Sequence, residues 1–232
     1  MNFVDTIGIL KNNVWSDCRE RRTIAKNCDE LIKSQLDGID ILRSAIEETE
    51  KQIKAWEDEQ NANPKANYQN QIALFRVIEE FYKVNGRLAL IEIDINTAYK
   101  YLFNAKTDYE YRFFARRIYT LLYEADDGLV KPVGSLVPKL KSVIDNERFE
   151  LYKREHKNFN AFLLAHHDEL KKIRNTNEAH KGEDFEKQVS SIEKISVARS
   201  IEVIQEGNVL LANLNAAFVV VLGGLITYMH SI

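Results

Sequence analysis

Two long runs of residues, spaced alternately three and four positions apart, constrain the fold of this chain more than any other feature. The members of the first run are Ile39, Leu42, Ile46, Thr49, Ile53 and Trp56. The members of the second run are Leu74, Ile78, Phe81, Asn85, Leu88, Glu92, Ile95, Tyr99 and Leu102. Such spacing aligns side chains along one seam of a helix, as in coiled coils. The polar stretch 58–65 between the runs contains Pro64 and predicts a turn, and therefore a long antiparallel helical hairpin.

The remainder of the chain also predicts helices and no sheet. Residues 109–126 have the pattern of an amphipathic helix, whereas 127–138 hold two of the three prolines and predict a loop. Asp145 or Asn146 is expected to cap a helix that runs to about residue 174, and Ser196 a last helix that runs to about residue 228. We therefore expect an all-α protein with two regions, 1–104 containing the hairpin and 105–232 forming a helical bundle.

Composition excludes several classes of protein. With 45% hydrophobic residues among 232, the chain can form a core, unlike a disordered or collagen-like sequence. Cys18 and Cys28 are too few to staple a miniprotein, and the N-terminus lacks the pattern of a signal peptide, so we expect reduced thiols in the cytoplasm. The net charge of -3 argues against a globally basic nucleic-acid-binding protein but allows a local basic patch.

The C-terminal segment is uncharged and strongly apolar. No Asp, Glu, Lys or Arg follows Glu206. The apolar stretch 216–229 is shorter than the roughly 18 consecutive apolar residues of a membrane span, and three asparagines precede it. We therefore expect a buried or subunit-interface helix and a homodimer, rather than a membrane anchor.

A short motif in the second region points to a function. Residues 174–180 read Arg-Asn-Thr-Asn-Glu-Ala-His, so that a polar residue follows the arginine and four more residues precede the histidine. In an all-helical chain with an apolar last helix, this motif resembles that of the HEPN superfamily (higher eukaryotes and prokaryotes nucleotide-binding). The resemblance covers about residues 105–230 and implies an up-and-down helical bundle there.

The resemblance also implies an activity. Active HEPN ribonucleases cleave RNA without a metal or other cofactor, through attack by the 2′-hydroxyl, and are usually dimers with two motifs in one cleft. Several act as toxins or in phage defence, which implies an antitoxin or other partner protein. Gly182 occupies the position where toxins paired with nucleotidyltransferase antitoxins often carry a tyrosine, so this sequence does not support that pairing.

Side-chain chemistry assigns roles within the motif. His180 can accept or donate a proton near neutral pH, and Arg174 supplies a permanent charge and forked donors for phosphate oxygens. Asn175 can orient either the arginine or a phosphate oxygen. Residues six apart on one helix lie about 120° apart, so convergence requires a break at Asn175, where Glu178 would complete a capping box.

Other basic residues are candidates for RNA binding. Arg112 and Arg116 lie one turn apart among aromatic residues, and they either form a phosphate-binding wall or are solvated on an amphipathic helix. Lys171 and Lys172 would place positive charge beside the motif, or are ordinary surface lysines. His166 and His167 lack the spacing of metal ligands, so no metal site is expected.

A different class of function fits the same sequence. The chain would then be a non-catalytic helical module for protein interaction or nucleotide binding, in which the hairpin binds a partner. A catalytic protein needs Arg174 and His180 within reach of one phosphate, whereas a module needs a large exposed face on the hairpin.

Overall fold

The architecture is entirely helical in the residues that the structure, a computed structural model, describes: 18–178, 190 and 192–229. Its helices are α1 (Cys18–Ala62), α2 (Gln69–Asn104), α3 (Asp108–Ala125), α4 (Lys131–Leu140), α5 (Asn146–Glu178) and α6 (Val197–Met229), and a π-helical turn (Asp126–Val130) follows α3. No strand occurs among the described residues, which confirms the all-α prediction.

The chain divides into two compact units. The first unit comprises Met1–Gln35, Ile91–Asp126 and Ala161–Val209, and the second comprises Leu36–Leu90, Asp127–Asn160 and Leu210–Ile232. Each of α1, α2, α5 and α6 contributes one segment to each unit. This grouping does not follow the expected boundary between residues 104 and 105. That boundary concerns the extent of a HEPN-like bundle and stays a prediction.

The predicted hairpin is formed by α1 and α2. In the second unit, Trp56 contacts Phe75 edge to face at 4.7 Å between centroids, and Lys83 lies 3.1 Å from Glu50. In the first unit, Lys100 lies 2.6 Å from Asp29. From the first of these contacts to the last, the residue number rises on α2 and falls on α1, so the two helices are antiparallel.

Burial accounts for the seam of the hairpin. Seven apolar members of the two runs are buried: Leu42, Ile53, Ile78, Phe81, Leu88, Ile95 and Leu102. Glu92, a polar member of the second run, is also buried, and Gln35 donates a hydrogen bond to its carboxylate. A buried polar group needs a hydrogen-bond partner, and Gln35 of α1 supplies it for Glu92.

The segment 127–138 is helical, so the prediction of a loop there was wrong. Pro132 lies in the first turn of α4, where its missing N–H has no intrahelical partner to lose. Val133, Leu136 and Leu140 are fully buried on one face of α4. Each contributes about 1.5–3 kcal/mol through burial, which together exceeds the roughly 3 kcal/mol cost of Pro138 inside the helix.

Both predicted helix starts are confirmed. The side chain of Asp145 accepts a hydrogen bond from the Arg148 backbone N–H at 3.0 Å, at the start of α5. The hydroxyl of Ser196 accepts one from the Arg199 N–H at 3.3 Å, at the start of α6. Side-chain oxygens at these positions satisfy N–H groups that have no partner within the helix.

Helix α6 has the length and composition of a membrane-crossing helix. Its mean hydropathy reaches 2.3 within Val197–Tyr228, although 39% of the most apolar window is buried in the protein. Leu214, Phe218, Val221 and Leu225 supply the buried face in the second unit. Core helices of soluble proteins can have the same length and composition.

Candidate functional site

Helix α5 continues through Asn175, contrary to the expected break at that residue. The helix runs to Glu178, so Asn175 is an exposed residue inside it rather than an N-cap. Extending a formed helix adds one hydrogen bond per residue, and Asn costs only about 0.5 kcal/mol relative to Ala there. His180 and Gly182 lie outside the described residues, so the convergence of Arg174 and His180 stays a prediction.

Arg174 lies against an aromatic ring of α3. Its guanidinium carbon is 5.5 Å from the centroid of Tyr123, a cation–π contact. The same tyrosine contacts His167 on α5, with 5.6 Å between ring centroids. The Arg174 side chain is half-buried. Tyr123 thus orients the guanidinium of the motif while part of it stays accessible to solvent.

The Tyr123 face of α3 carries a second arginine. Arg116 precedes Tyr123 by seven residues, which places it on the same side of the helix about 10 Å away. Burial lowers the pKa of the half-buried Arg116 guanidinium, and Tyr109 opposes part of that shift. An arginine nevertheless stays charged at neutral pH. The guanidinium groups of Arg116 and of Arg174, which lies against Tyr123, are therefore on the same side of α3 in the first unit.

The two lysines before the motif are exposed. Lys171 and Lys172 lie on α5 within one turn of Arg174, and both side chains face solvent. They add positive charge near the guanidinium, and their role in substrate binding stays a prediction. Exposed ammonium groups attract phosphate mainly through long-range, salt-sensitive electrostatics.

Arg112 is engaged in internal contacts, which do not support the phosphate-binding role expected for it. Its guanidinium pairs with Asp108 at 2.8 Å and donates to the backbone carbonyl oxygens of Glu193 and Ile195. The arginine thereby joins α3 to the segment that precedes α6. Only the four-residue spacing to Asp108 was visible in the sequence, as an ordinary helical ion pair.

A polar cluster that sequence reasoning missed lies between α3, α5 and α6 in the first unit. Arg199 donates to Glu169 at 3.2 Å and to His166 Nδ1 at 3.2 Å, and the hydroxyl of buried Tyr119 donates to Glu169 at 3.1 Å. An arginine cannot accept, so Nδ1 of His166 accepts and the proton lies on Nε2, which is 3.5 Å from Glu206.

These contacts join the three helices through side-chain hydrogen bonds. Burial, followed by the Glu169 carboxylate, raises the pKa of the Tyr119 hydroxyl, so the tyrosine stays neutral and donates. Each hydrogen-bonding group already has a partner within the cluster, and no group of three or more potential metal ligands occurs in the described part of the chain. The i, i+3 spacing of His166 and Glu169 was the one signal available beforehand.

No protein-family model, curated protein or solved structure matches this chain. The resemblance to the HEPN superfamily therefore rests on the motif at 174–180 and its helical setting alone.

Proposed function

We propose that this protein is a metal-independent endoribonuclease of the HEPN type. The observation that carries the proposal is the guanidinium of Arg174, oriented by Tyr123 on a face of α3 that also presents Arg116. Such a face suits the negatively charged backbone of RNA. His180 follows Arg174 by six residues and supplies the titratable group that the reaction needs.

The chemistry uses the substrate's own nucleophile. His180 takes the proton of a 2′-hydroxyl, and the 2′-oxygen attacks the adjacent phosphorus. The bond from phosphorus to the 5′-oxygen breaks, a general acid protonates that leaving oxygen, and a 2′,3′-cyclic phosphate remains. Arg174 stabilises the added negative charge at phosphorus through its forked donors, and Asn175 orients it.

The proposal extends to assembly and biological role. The enzyme is a cytoplasmic homodimer of a toxin or phage-defence type, held in check by a partner protein. The dimer forms through the exposed face of α6 in the second unit, along Ala212, Ala216, Val219, Gly223 and Ile226. These residues are spaced alternately four and three apart and are uncharged, as a helix–helix seam requires.

The test is cleavage of RNA in EDTA by wild-type protein and by His180→Ala. We expect cleavage by the wild type alone, with new ends that carry 2′,3′-cyclic phosphate. Arg174→Lys should reduce the rate strongly, because an ammonium lacks the forked donors. Arg43→Ala, at an exposed arginine of α1, is the matched control and should cleave at the wild-type rate. Equal cleavage by His180→Ala would remove His180 from the mechanism.

A non-catalytic interaction module is the second candidate. Two large aliphatic residues of α1 in the second unit are exposed, Leu36 at 51% and Ile41 at 70%. A contiguous exposed apolar patch marks a protein-binding face, and Ile41 would lie in such a patch if the hairpin binds a partner. Absence of cleavage by the wild type, together with loss of a partner on Ile41→Asp, would favour this function.

A further inference from the structure

Three aromatic rings form a connected cluster at the junction of α2 and α3 in the first unit. Tyr101 stacks on Phe114 with 5.3 Å between centroids and 19° between planes. Phe113 meets Phe114 edge to face at 5.3 Å and 85°. We call Tyr101, Phe113 and Phe114 the aromatic platform.

The platform is largely open to solvent. Tyr101 is 51% exposed and Phe113 is 43% exposed, although each already contacts Phe114. Burying such a ring against a ligand would contribute about 25 cal/mol of favourable free energy for each Å² of apolar surface removed from water. The parallel arrangement of Tyr101 and Phe114 also begins a stack that a further flat ring can extend.

The charges beside the platform favour a nucleic acid over an apolar protein surface. The guanidinium of Arg116 lies 5.8 Å from the centroid of Phe113, and Arg117 is exposed next to it. Glu110 is the acidic residue one turn before Phe113 and Phe114 on this face, and its carboxylate accepts hydrogen bonds from the backbone N–H groups of Lys106 and Thr107 at the start of α3. Cations interleaved with open rings match the alternating phosphates and bases of a single strand.

We infer that the aromatic platform binds unpaired nucleobases by stacking, while Arg116 and Arg117 contact the adjoining phosphates. This inference rests on the proposed function, because it assigns single-stranded RNA as the substrate class. Bases in a duplex are stacked on each other and cannot reach the rings. The enzyme therefore selects loops and unstructured segments.

The test measures binding of a fluorescein-labelled, 2′-fluoro 12-nucleotide oligouridine by fluorescence anisotropy. This probe has no 2′-hydroxyl and cannot be cleaved. Tyr101→Leu and Phe113→Leu remove one ring each at an exposed position, and we expect affinity to fall roughly 5- to 100-fold. Tyr101→Phe and Phe113→Tyr keep the ring and should bind as the wild type does. Melting temperatures of all four variants verify folding.

Two further readouts separate stacking from charge. Fluorescence of a 2-aminopurine base in the probe should be quenched by the wild type and by Tyr101→Phe, but much less by Tyr101→Leu. Loss of a ring should leave the salt dependence of binding unchanged, whereas Arg117→Gln should reduce its slope by about 0.7 for one lost phosphate contact.

The outcomes keep the inference apart from the proposed function. Unchanged affinity in both leucine variants would overturn the inference, even if the wild type cleaves RNA. Equal binding of a duplex probe would also overturn it. Loss of self-association in the leucine variants, with RNA affinity retained, would assign the rings to a protein interface instead. Ring-dependent binding by a protein that cleaves nothing would sustain the platform and refute the nuclease.

Discussion

At the scale of single residues, Gly207 lies where the core of the first unit leaves little space for a side chain. A Cβ built there would lie 3.0 Å from Cζ of Phe162 and 3.2 Å from both methyl carbons of Leu122. Both neighbours are buried and cannot move freely. Overpacking of this kind costs about 1–3 kcal/mol, while alanine gains up to about 1 kcal/mol over glycine in a helix. We expect Gly207→Ala to lower the free energy of unfolding by about 1 kcal/mol in urea titration.

The matched control for this change is Gly86→Ala in α2. No atom lies within 4 Å of the Cβ position there, so only the helix propensity changes. We expect the free energy of unfolding to rise by about 0.5–1 kcal/mol. A similar rise in Gly207→Ala would contradict the close packing of Gly207 on Phe162.

His156 gives the second unit a pH dependence. Its Nε2 lies 3.1 Å from the Val130 carbonyl oxygen, which needs the ring to donate. Burial lowers the pKa of His156, and the bond to Val130 opposes part of that shift. The unfolded chain, with a histidine pKa of about 6.5, therefore takes up the proton first as the pH falls. The stability that the neutral ring contributes is present above about pH 6.5 and is lost below it.

The measurement compares urea unfolding at pH 7.5 and pH 5.5 for wild type and His156→Gln. The variant keeps a donor but does not titrate, so its free energy of unfolding should change less between the two pH values. The difference between the proteins isolates His156 from the other histidines. Equal changes in both proteins would show that His156 titrates alike in the folded and unfolded chains.

Residues whose role depends on distant partners were the least predictable. Arg112 has the residue type of a phosphate ligand, but its carbonyl partners lie 81 and 83 residues further along the chain. The contact of Arg174 with Tyr123 likewise joins two helices. Periodicity reports which face of a helix is buried, and it carries no information on which helix covers that face.

At the scale of helices, prediction from the sequence succeeded where the spacing of apolar residues reports which side chains are buried. The three–four seams of α1 and α2 encode burial directly, so the hairpin followed from the sequence. The prediction of a loop at 127–138 was wrong because prolines and glycines report only the local conformational preference of the backbone. The buried Val133, Leu136 and Leu140 outweigh that preference, and none of this tertiary contact is visible locally.

The continuity of α5 has a measurable consequence at Asn175. A residue inside a helix does not cap it, so Asn175→Ala should leave stability unchanged or raise it by up to about 0.5 kcal/mol. Asp145→Ala is the comparison, because Asp145 accepts the Arg148 N–H at the start of the same helix. Loss of the Asp145 side chain should lower the free energy of unfolding by about 1 kcal/mol. Thermal unfolding of both variants, followed by circular dichroism at 222 nm, measures the two effects.

If Asn175→Ala lowers the free energy of unfolding by about 1 kcal/mol, Asn175 caps a helix as the sequence predicted. Such a result would also favour the bend that brings Arg174 and His180 together. Unchanged stability with reduced RNA cleavage would instead assign Asn175 to the chemistry of the motif, where its amide orients the arginine.

At the scale of the whole molecule, the division into two units was not predictable from sequence. Four of the helices contribute a segment to each unit, so neither unit corresponds to a continuous stretch of chain. The seam of α2 continues across residue 90, from Leu88 through Glu92 to Ile95, without a break in its spacing. Local sequence patterns do not reveal units assembled from three separate segments, and the expected boundary at residue 104 stays a prediction.

The exposed face of α6 in the second unit determines the expected state of the molecule in solution. Val219 and Ile226 are exposed on this face, and the neighbouring Ala216 and Gly223 are small enough to let a second helix approach closely. No Asp, Glu, Lys or Arg lies beyond residue 206, so we expect two copies of the face to meet without repulsion or unpaired charge.

We therefore expect light scattering to give twice the monomer mass of 26.9 kDa for the wild type. Val219→Asp combined with Ile226→Asp should give one monomer mass, because each substitution would bury an unpaired carboxylate in the interface. Leu164→Asp, at an exposed leucine of α5, is the control and should leave the dimer intact. A monomeric wild type that partitions into detergent, with the double variant remaining in water, would show that a membrane rather than a second copy covers α6.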